Sequence, residues 1–274
     1  MNMTSLSEKI GFIGGGNMAS AIIGGLRRQG MAAEQFIVLE PYAPRREKLL
    51  SDFGIHALEK SSNALAQAQQ IVWAVKPQTF REAAAQVADH TQQALHLSVM
   101  AGITSTSMAQ QLSTQRIVRA MPNTPALIGK GIAGLFARAA VSASDKLSIE
   151  ALIATTGEYL WVTDESHLDA VTALSGSGPA YVFFFIEAMM RAGQSMGLTE
   201  GQSRALAQST FAGAAELARQ SPESPEVLRQ RVTSKGGTTY AAITSMQDSL
   251  VGQRFEQALR AAGARAAELG REFG

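Results

Sequence analysis

Residues 10–26 read Ile10-Gly11-Phe12-Ile13-Gly14-Gly15-Gly16-Asn17-Met18-Ala19-Ser20-Ala21-Ile22-Ile23-Gly24-Gly25-Leu26. A short apolar run meets a glycine cluster and passes into a pattern with helical spacing, so the stretch predicts a strand, a tight turn and a helix. Within it, Gly14-x-Gly16-x-x-Ala19 is the alanine-ending form of the dinucleotide fingerprint. Gly14 permits the turn, and Gly16 lets a pyrophosphate approach the backbone with no Cβ in the way. Ala19 is small enough for close packing of helix on strand. The helix beginning near Asn17, with Met18 beside it, points unpaired N–H groups and its positive dipole end at the phosphates.

The same alternation continues outward. Short β-rich runs occur at 10–13, 36–39, 70–75, 95–99, 116–121, 132–136 and 158–162, with Ala-, Glu- and Gln-rich stretches such as 45–53 and 80–91 between most of them. This predicts βαβ units and an α/β, doubly wound, mostly parallel sheet of Rossmann type over residues 1–162. From Asp164 onward no strand is expected. Ala-rich helical segments are expected over 164–173, 177–196, 200–219, 223–233, 238–247 and 251–271. Residues 163–274 therefore form an expected all-helical domain. Its apolar density and scarcity of charge predict burial against a second copy, a homodimer at least.

Composition narrows the class of function. Lys and Arg number 24 against 23 Asp and Glu, so no charge excess points to nucleic acid or an anionic membrane. There are no cysteines, which excludes disulfides, thiolate nucleophiles and cysteine-ligated metal centres. No metal site is expected. Met1–Lys9 is polar and does not read as a signal peptide, and the most apolar stretch, Tyr181–Met190, contains Glu187 and is too short to span a bilayer. A soluble, cytoplasmic protein is the expectation.

On the cofactor side, Glu40 follows the second strand about 20 residues beyond the glycine turn, where an acid accepts hydrogen bonds from an adenosine ribose and favours NAD. Arg45 and Arg46 follow closely and suit the 2′-phosphate of NADP. The two signals conflict, and the choice between NAD and NADP stays open. Three strand ends carry further candidates: Ala74-Val75-Lys76-Pro77, then Met100-Ala101-Gly102, whose small residues leave room for a flat ring. The third is Met121-Pro122-Asn123-Thr124-Pro125, where two prolines hold Asn123 in a fixed loop.

Two segments interrupt the Ala-rich pattern of the helical half. Ser175-Gly176-Ser177-Gly178-Pro179-Ala180 precedes a long apolar helix with proline placed for its first turn. Val232-Thr233-Ser234-Lys235-Gly236-Gly237-Thr238-Thr239-Tyr240 joins two helices through a glycine pair, and its backbone N–H groups and hydroxyls suit a carboxylate. Neither loop is flanked by a Ser/His/Asp set or by paired carboxylates. The chemistry implied is a bound anion and a hydride, with little side-chain acid–base work.

Taken together, the glycine turn, Ala74-Val75-Lys76-Pro77, Met121-Pro122-Asn123-Thr124-Pro125, Ser175-Gly176-Ser177-Gly178-Pro179-Ala180 and the stretch from Pro225 to Met246 occur in the order that resembles the pyrroline-5-carboxylate reductase family. The resemblance covers nearly the whole chain. It implies reduction of a cyclic imine, 1-pyrroline-5-carboxylate, to proline with NAD(P)H, on a Rossmann domain followed by a dimerisation domain. It also implies dimers that assemble into decamers and an active site completed across the dimer. Carried over by position, Ser234 and the N–H groups of Thr238 and Thr239 hold the substrate carboxylate, with Gly237 and Ser175 adjoining the substrate. The Thr239 hydroxyl faces the ring nitrogen. Gly14, Gly16 and Asn17 hold the pyrophosphate, Ala74 to Pro77 line the dinucleotide, and Asn63 touches the adenosine ribose. Two rival readings fit the residues less closely. A β-hydroxyacid dehydrogenase needs a helix-borne lysine after Ser175-Gly176-Ser177-Gly178, where none occurs, and a non-catalytic NAD(P) sensor leaves the second loop without a role.

Overall fold

The computed structural model describes residues 8–273. The expectation concerning the N-terminal leader lies, up to residue 7, outside the described residues. Two compact units divide the chain. One runs to Ser177 and takes in the residues from Ala262 onward, and the other comprises Gly178–Ala261.

The first unit is built on seven strands, β1 Lys9–Ile13, β2 Phe36–Leu39, β3 Ala68–Trp73, β4 Leu95–Ser98, β5 Ile117–Met121, β6 Gly131–Ala137 and β7 Gly157–Trp161, in the order β2-β1-β3-β4-β5-β6-β7. All neighbours are parallel except β5 and β6. β1 to β5 are buried along nearly their whole length because both faces are covered, with alternate side chains serving opposite faces, whereas Glu158, Tyr159 and Leu160 of β7 are exposed. Phe12, Val38, Val72 and Leu97 pack with helices α1 (Asn17–Arg28), α2 (Ala43–Phe53) and α5 (Ala143–Ala154). Ile13, Leu39, Ile71 and Trp73 pack with α3 (Phe80–Thr91) and α4 (Ser105–Leu112).

α2 lies on the same face as α1. After α2 the chain runs back beside β2, where Leu58 pairs with Leu39, its N–H donating to Val38 O (2.7 Å) and its carbonyl accepting from Glu40 N (2.8 Å). This single bridge stands where a further strand would add to the sheet edge. The chain then crosses to the other face through a short turn at Asn63–Gln67 before entering β3.

Two expected elements differ in detail. The third strand runs from Ala68 to Trp73, two residues earlier at each end than expected, and Ala74 N–H makes one last bond to Ile13 O of β1 (2.8 Å) before the chain turns at Pro77. The helix expected over 164–173 is α6, His167–Val171, continued by a wide turn over Thr172–Gly176 in which Ser177 N reaches back five residues to Thr172 O (2.9 Å). Such π turns are frequent at functional sites.

The second unit carries α7 (Gly178–Ser195), α8 (Glu200–Gln220), α9 (Pro225–Arg231), α10 (Thr238–Asp248) and the first part of α11 (Val251–Phe273). Its helix starts follow capping chemistry. Thr199 and Gln202 exchange hydrogen bonds at the head of α8, while Ser224 Oγ accepts from Val227 N before α9, whose first residue is Pro225. Phe255 of α11 packs edge-on against Tyr181 and Phe185 of α7. No helix among the described residues is long and apolar enough to cross a membrane.

Candidate active site

Because β1 to β5 are parallel, the residues that follow them collect at one sheet edge: Gly14, Glu40, Ala74, Ala101 and Asn123, with their neighbours. Backbone bonds chain the turns together, with Gly14 N donating to Leu39 O (2.8 Å) and Val99 N to Trp73 O (3.0 Å). In open α/β sheets this edge is where ligands bind.

The glycine turn has the shape a diphosphate requires. Gly14 adopts φ +94°, and a Cβ there would stand 2.7 Å from Ala74 O, so no other residue fits without movement. Above Gly16 the space is open, the nearest atoms to a built Cβ being Arg45 Nη1 at 3.8 Å and Ala74 O at 4.0 Å. Gly16 caps α1 with no side-chain acceptor, which leaves the first N–H groups of the helix for a ligand. Asn17 is exposed at this helix start, whereas Met18 turns partly into the core. These features fit a nicotinamide dinucleotide.

Glu40 is buried, 3% exposed, and its carboxylate is turned inward. Oε2 accepts from Gly15 N (2.8 Å) and Oε1 from Tyr42 N (2.9 Å), with Arg45 Nη1 at 3.7 Å from Oε2. Arg46 braces the same turn by donating to Glu40 O (3.1 Å) and Pro41 O (2.6 Å). Along the edge, Lys76 is exposed and Pro77 opens a short turn tied by Thr79 Oγ1 to Lys76 O (2.9 Å). Asn123 Oδ1 accepts from Ile132 N (3.0 Å), so that side chain anchors the start of β6 while its amide N–H₂ stays available. Asn63 is exposed at the head of its turn, five residues beyond the Leu58 bridge.

Ser175 lies in the π turn, and its Oγ is buried with no partner among the described residues. An orphaned hydroxyl costs free energy, so this one is a candidate for a ligand contact. Beside it, Gly176 is closely approached by Met121, a built Cβ standing 2.7 Å from Met121 Cε.

In the second unit, Val232 to Gly237 joins α9 to α10. Gly236 takes φ +77°, Gly237 N donates to Ser234 O (3.0 Å), and a Cβ on Gly237 would meet Ser234 Oγ at 2.8 Å. The Ser234 hydroxyl therefore overhangs the first residue before α10. Gly237 caps that helix without a side-chain acceptor, and among the described residues the hydroxyls of Ser234, Thr238 and Thr239 make no hydrogen bond. Thr233 is different, its Oγ1 donating to Arg229 O (2.7 Å) to close α9. The result is a small cradle of free N–H and O–H donors, suited to a carboxylate.

A polar cluster that sequence patterning does not single out lies at the amino end of α4. Glu165 accepts from Ser105 N (2.6 Å), Ser105 Oγ (2.5 Å) and Arg119 Nη1 (2.8 Å), and Arg138 Nη1 donates to Ser105 Oγ (3.0 Å). Burial alone raises the Glu165 pKa, but the hydrogen bonds from Ser105 and Arg119 outweigh it and hold the carboxyl below its usual range. The cluster ties the segment before α6 to β5 and to the head of α4. No short-range signal announces it, since its members are 46 and 60 residues apart in pairs.

Comparison with known proteins agrees with this layout. Residues 165–269 match the family model for pyrroline-5-carboxylate reductase dimerisation, and residues 9–102 match the model for NADP oxidoreductase, coenzyme F420-dependent. The pyrroline-5-carboxylate reductase of Pseudomonas aeruginosa is 43% identical over 270 residues, covering 98% of this chain and 99% of the relative. The solved pyrroline-5-carboxylate reductase of Coxiella burnetii superposes with a TM-score of 0.88 at 35% identity, covering 96% of this chain and 98% of that one. The Plasmodium falciparum pyrroline carboxylate reductase, solved with NADP bound, gives 0.86 at 26% identity, covering 97% and 100%. With this identity sustained over almost the whole length, the chain belongs to the pyrroline-5-carboxylate reductase family.

Proposed function

We propose that this chain reduces 1-pyrroline-5-carboxylate to L-proline with NAD(P)H, the last step of proline biosynthesis, as an oxidoreductase acting on a CH–NH group. The observation that carries the reading is the turn before α10. Ser234 overhangs an uncapped helix start, with the free hydroxyls of Thr238 and Thr239 beside it, in a chain of this family.

The substrate is a cyclic imine bearing a carboxylate. Ser234 and the N–H groups of Thr238 and Thr239 bind that carboxylate, with Gly237 leaving room for it, and Ser175 Oγ is a further polar contact. Thr239 Oγ1 faces the ring nitrogen and orients the protonated imine, whose carbon is then electrophilic. The cofactor supplies the hydride. On the other unit, Gly14, Gly16, Asn17 and Met18 form the diphosphate turn. Glu40, Arg45 and Asn63 belong to the adenosine end, while Ala74, Val75, Lys76, Pro77, Ala101 and Asn123 line the rest of the sheet edge. Protonation of the imine by solvent before binding removes the need for a dedicated general acid, which matches the lack of a His or carboxylate in the α9–α10 turn. Orientation and exclusion of water are then the main contributions of the protein.

The functional division proposed is residues 1–162 for the dinucleotide and 163–274 for substrate binding and dimerisation. Exposed Phe183, Phe184, Leu206 and Leu217 on the helical unit support a homodimer, and a pentamer of such dimers is the larger assembly. A cytoplasmic location suits a biosynthetic enzyme without cysteines. The decisive assay follows absorbance at 340 nm with pyrroline-5-carboxylate and either NADPH or NADH. Oxidation with proline as product is expected. Cofactor binding without oxidation would move the chain to another imine, to a hydroxy acid or to a sensor.

A further inference from the structure

The end of β2 decides which adenosine ribose a dinucleotide fold accepts. A carboxylate there that reaches outward takes the 2′-hydroxyl of NAD, whereas a nearby arginine takes the 2′-phosphate of NADP. This chain carries both types, Glu40 on one side and Arg45 and Arg46 on the other, and their sequence order alone does not separate them.

Their contacts do. Both oxygens of Glu40 are already engaged by backbone, Oε2 by Gly15 N–H at 2.8 Å and Oε1 by Tyr42 N–H at 2.9 Å. The side chain is 4% exposed. Glu40 thus bridges the glycine turn to the turn after β2, and its charge faces the protein. Arg46 is equally committed, donating to the carbonyls of Glu40 and Pro41 and to Glu59 Oε2 at 3.3 Å.

Arg45 is the exception. Its side chain is half exposed, and among the described residues its guanidinium makes no hydrogen bond, only the 3.7 Å ion pair with Glu40 Oε2. It lies over the open space at Gly16. From there a groove of about 350 Å³ runs between α1 and α2, lined by Gly16, Asn17, Ser20, Arg45, Lys48 and Arg28 among others. The one acid lining it, Asp52, is paired with Lys48 at 2.8 Å. The mouth of the groove therefore offers a half-exposed guanidinium with no hydrogen bond among the described residues, and no outward carboxylate. A phosphate dianion gains a charge-assisted, two-pronged partner there, and a bare ribose hydroxyl gains nothing comparable.

We infer that Arg45 selects the 2′-phosphate of NADP, and that Glu40 is a positioning residue that holds the glycine turn instead of reading the ribose. The inference rests on the reading that the chain binds a nicotinamide dinucleotide.

Calorimetric titration of the full-length protein with NADP⁺ and NAD⁺, without substrate, tests it. The wild type binds NADP⁺ at least about tenfold more tightly than NAD⁺. Arg45→Ala weakens NADP⁺ by roughly ten- to a hundredfold, leaves NAD⁺ within about twofold, and Arg45→Lys restores part of the loss. Glu40→Gln weakens both nucleotides by the same factor and speeds hydrogen exchange at the Gly15 amide in the free protein. Equal or tighter binding of NAD⁺ by the wild type overturns the inference, as does an equal loss of both nucleotides in Arg45→Ala. Selective loss of NAD⁺ in Glu40→Gln would make Glu40 the ribose acceptor after all. If neither nucleotide binds, the inference falls together with the dinucleotide reading beneath it.

Discussion

In the sheet unit, Phe12, Trp73 and Phe80 are wholly buried between strands and helices, whereas in the helical unit Phe183 and Phe184 stand 59% and 61% exposed. The contrast runs through both regions. The sheet has two apolar layers of its own. Among residues 178–261, only Gly193, Ser203 and Ala207 are buried, the first two where α7 and α8 approach so closely that a Cβ on Gly193 would meet Ser203 Oγ at 2.7 Å. A folded unit needs buried apolar area to offset the entropy of ordering its chain. The sheet unit meets that need internally. The helical unit leaves its large apolar side chains for another surface to cover, in keeping with its match to a dimerisation family.

The sharpest way to break the comparison is to damage the internal core. Trp73→Ala removes a fully buried indole that packs edge-on against Phe80 and donates to His96. It is expected to cost about 3–5 kcal/mol in chemical denaturation, at any protein concentration. A loss below about 1 kcal/mol would mean that this layer is not the seat of stability.

Acid probes the same layer. His96 Nδ1 accepts from Trp73 Nε1 and its Nε2–H donates to Thr91 O, each at 3.0 Å, so the ring is held neutral. Burial, the largest effect, pulls its pKa from 6.5 down to about 4. The unfolded chain then binds the proton more readily than the folded one. Stability from this site is complete above pH 6.5 and is lost as the pH falls towards 4, by about 3 kcal/mol in all. Unfolding free energies measured between pH 7 and 4 should show this slope, and His96→Gln should flatten it.

The helical unit should respond to concentration instead. Phe183→Glu is expected to weaken self-association by about 2 kcal/mol or more, with a melting temperature that depends on protein concentration and a lighter species in sedimentation. An unchanged mass would place the interface elsewhere on the unit. The turn before α10, proposed to hold the substrate, is a subtler probe. Thr239→Ala should lower kcat by roughly ten- to a hundredfold with NADPH affinity nearly intact, and an equal loss of cofactor binding would detach Thr239 from the substrate. Ser234→Ala should raise the substrate KM by about tenfold and barely move the cofactor KM, while an unchanged substrate KM would remove Ser234 from the carboxylate site.

Legibility in the sequence follows the range of the interaction concerned. Phe36–Leu39 is a strand in both reading and structure, because four apolar residues between a helical segment and Glu40-Pro41 leave few alternatives. The helical segments expected after residue 176 likewise lie within a few residues of α7 to α11, since Thr199, Ser224, Pro225 and Gly237 mark their starts by local chemistry. The π turn at Thr172–Gly176 was not legible, because a five-residue backbone step has no side-chain periodicity to betray it. The Leu58 bridge escaped for another reason: one paired residue is too short to make a pattern.

The candidate site divides in the same way. That Gly14, Gly16 and Gly237 stand at helix starts follows from residue type and spacing, and at Gly14 only a residue without a side chain tolerates the φ of +94° and the approach of Ala74 O. What Glu40, Arg45 and Arg46 do with their charges was beyond the sequence, because each has several partners within reach of its position along the chain. Folding brings Gly15 to Glu40, 25 residues away, and Glu59 to Arg46, 13 residues away. Local chemistry thus determined the elements, their order and the glycine turns that open α1 and α10. Only the tertiary structure decided which charged groups are used up inside the protein and which remain free to meet a ligand, because burial and long-range pairing exist only once the chain has folded.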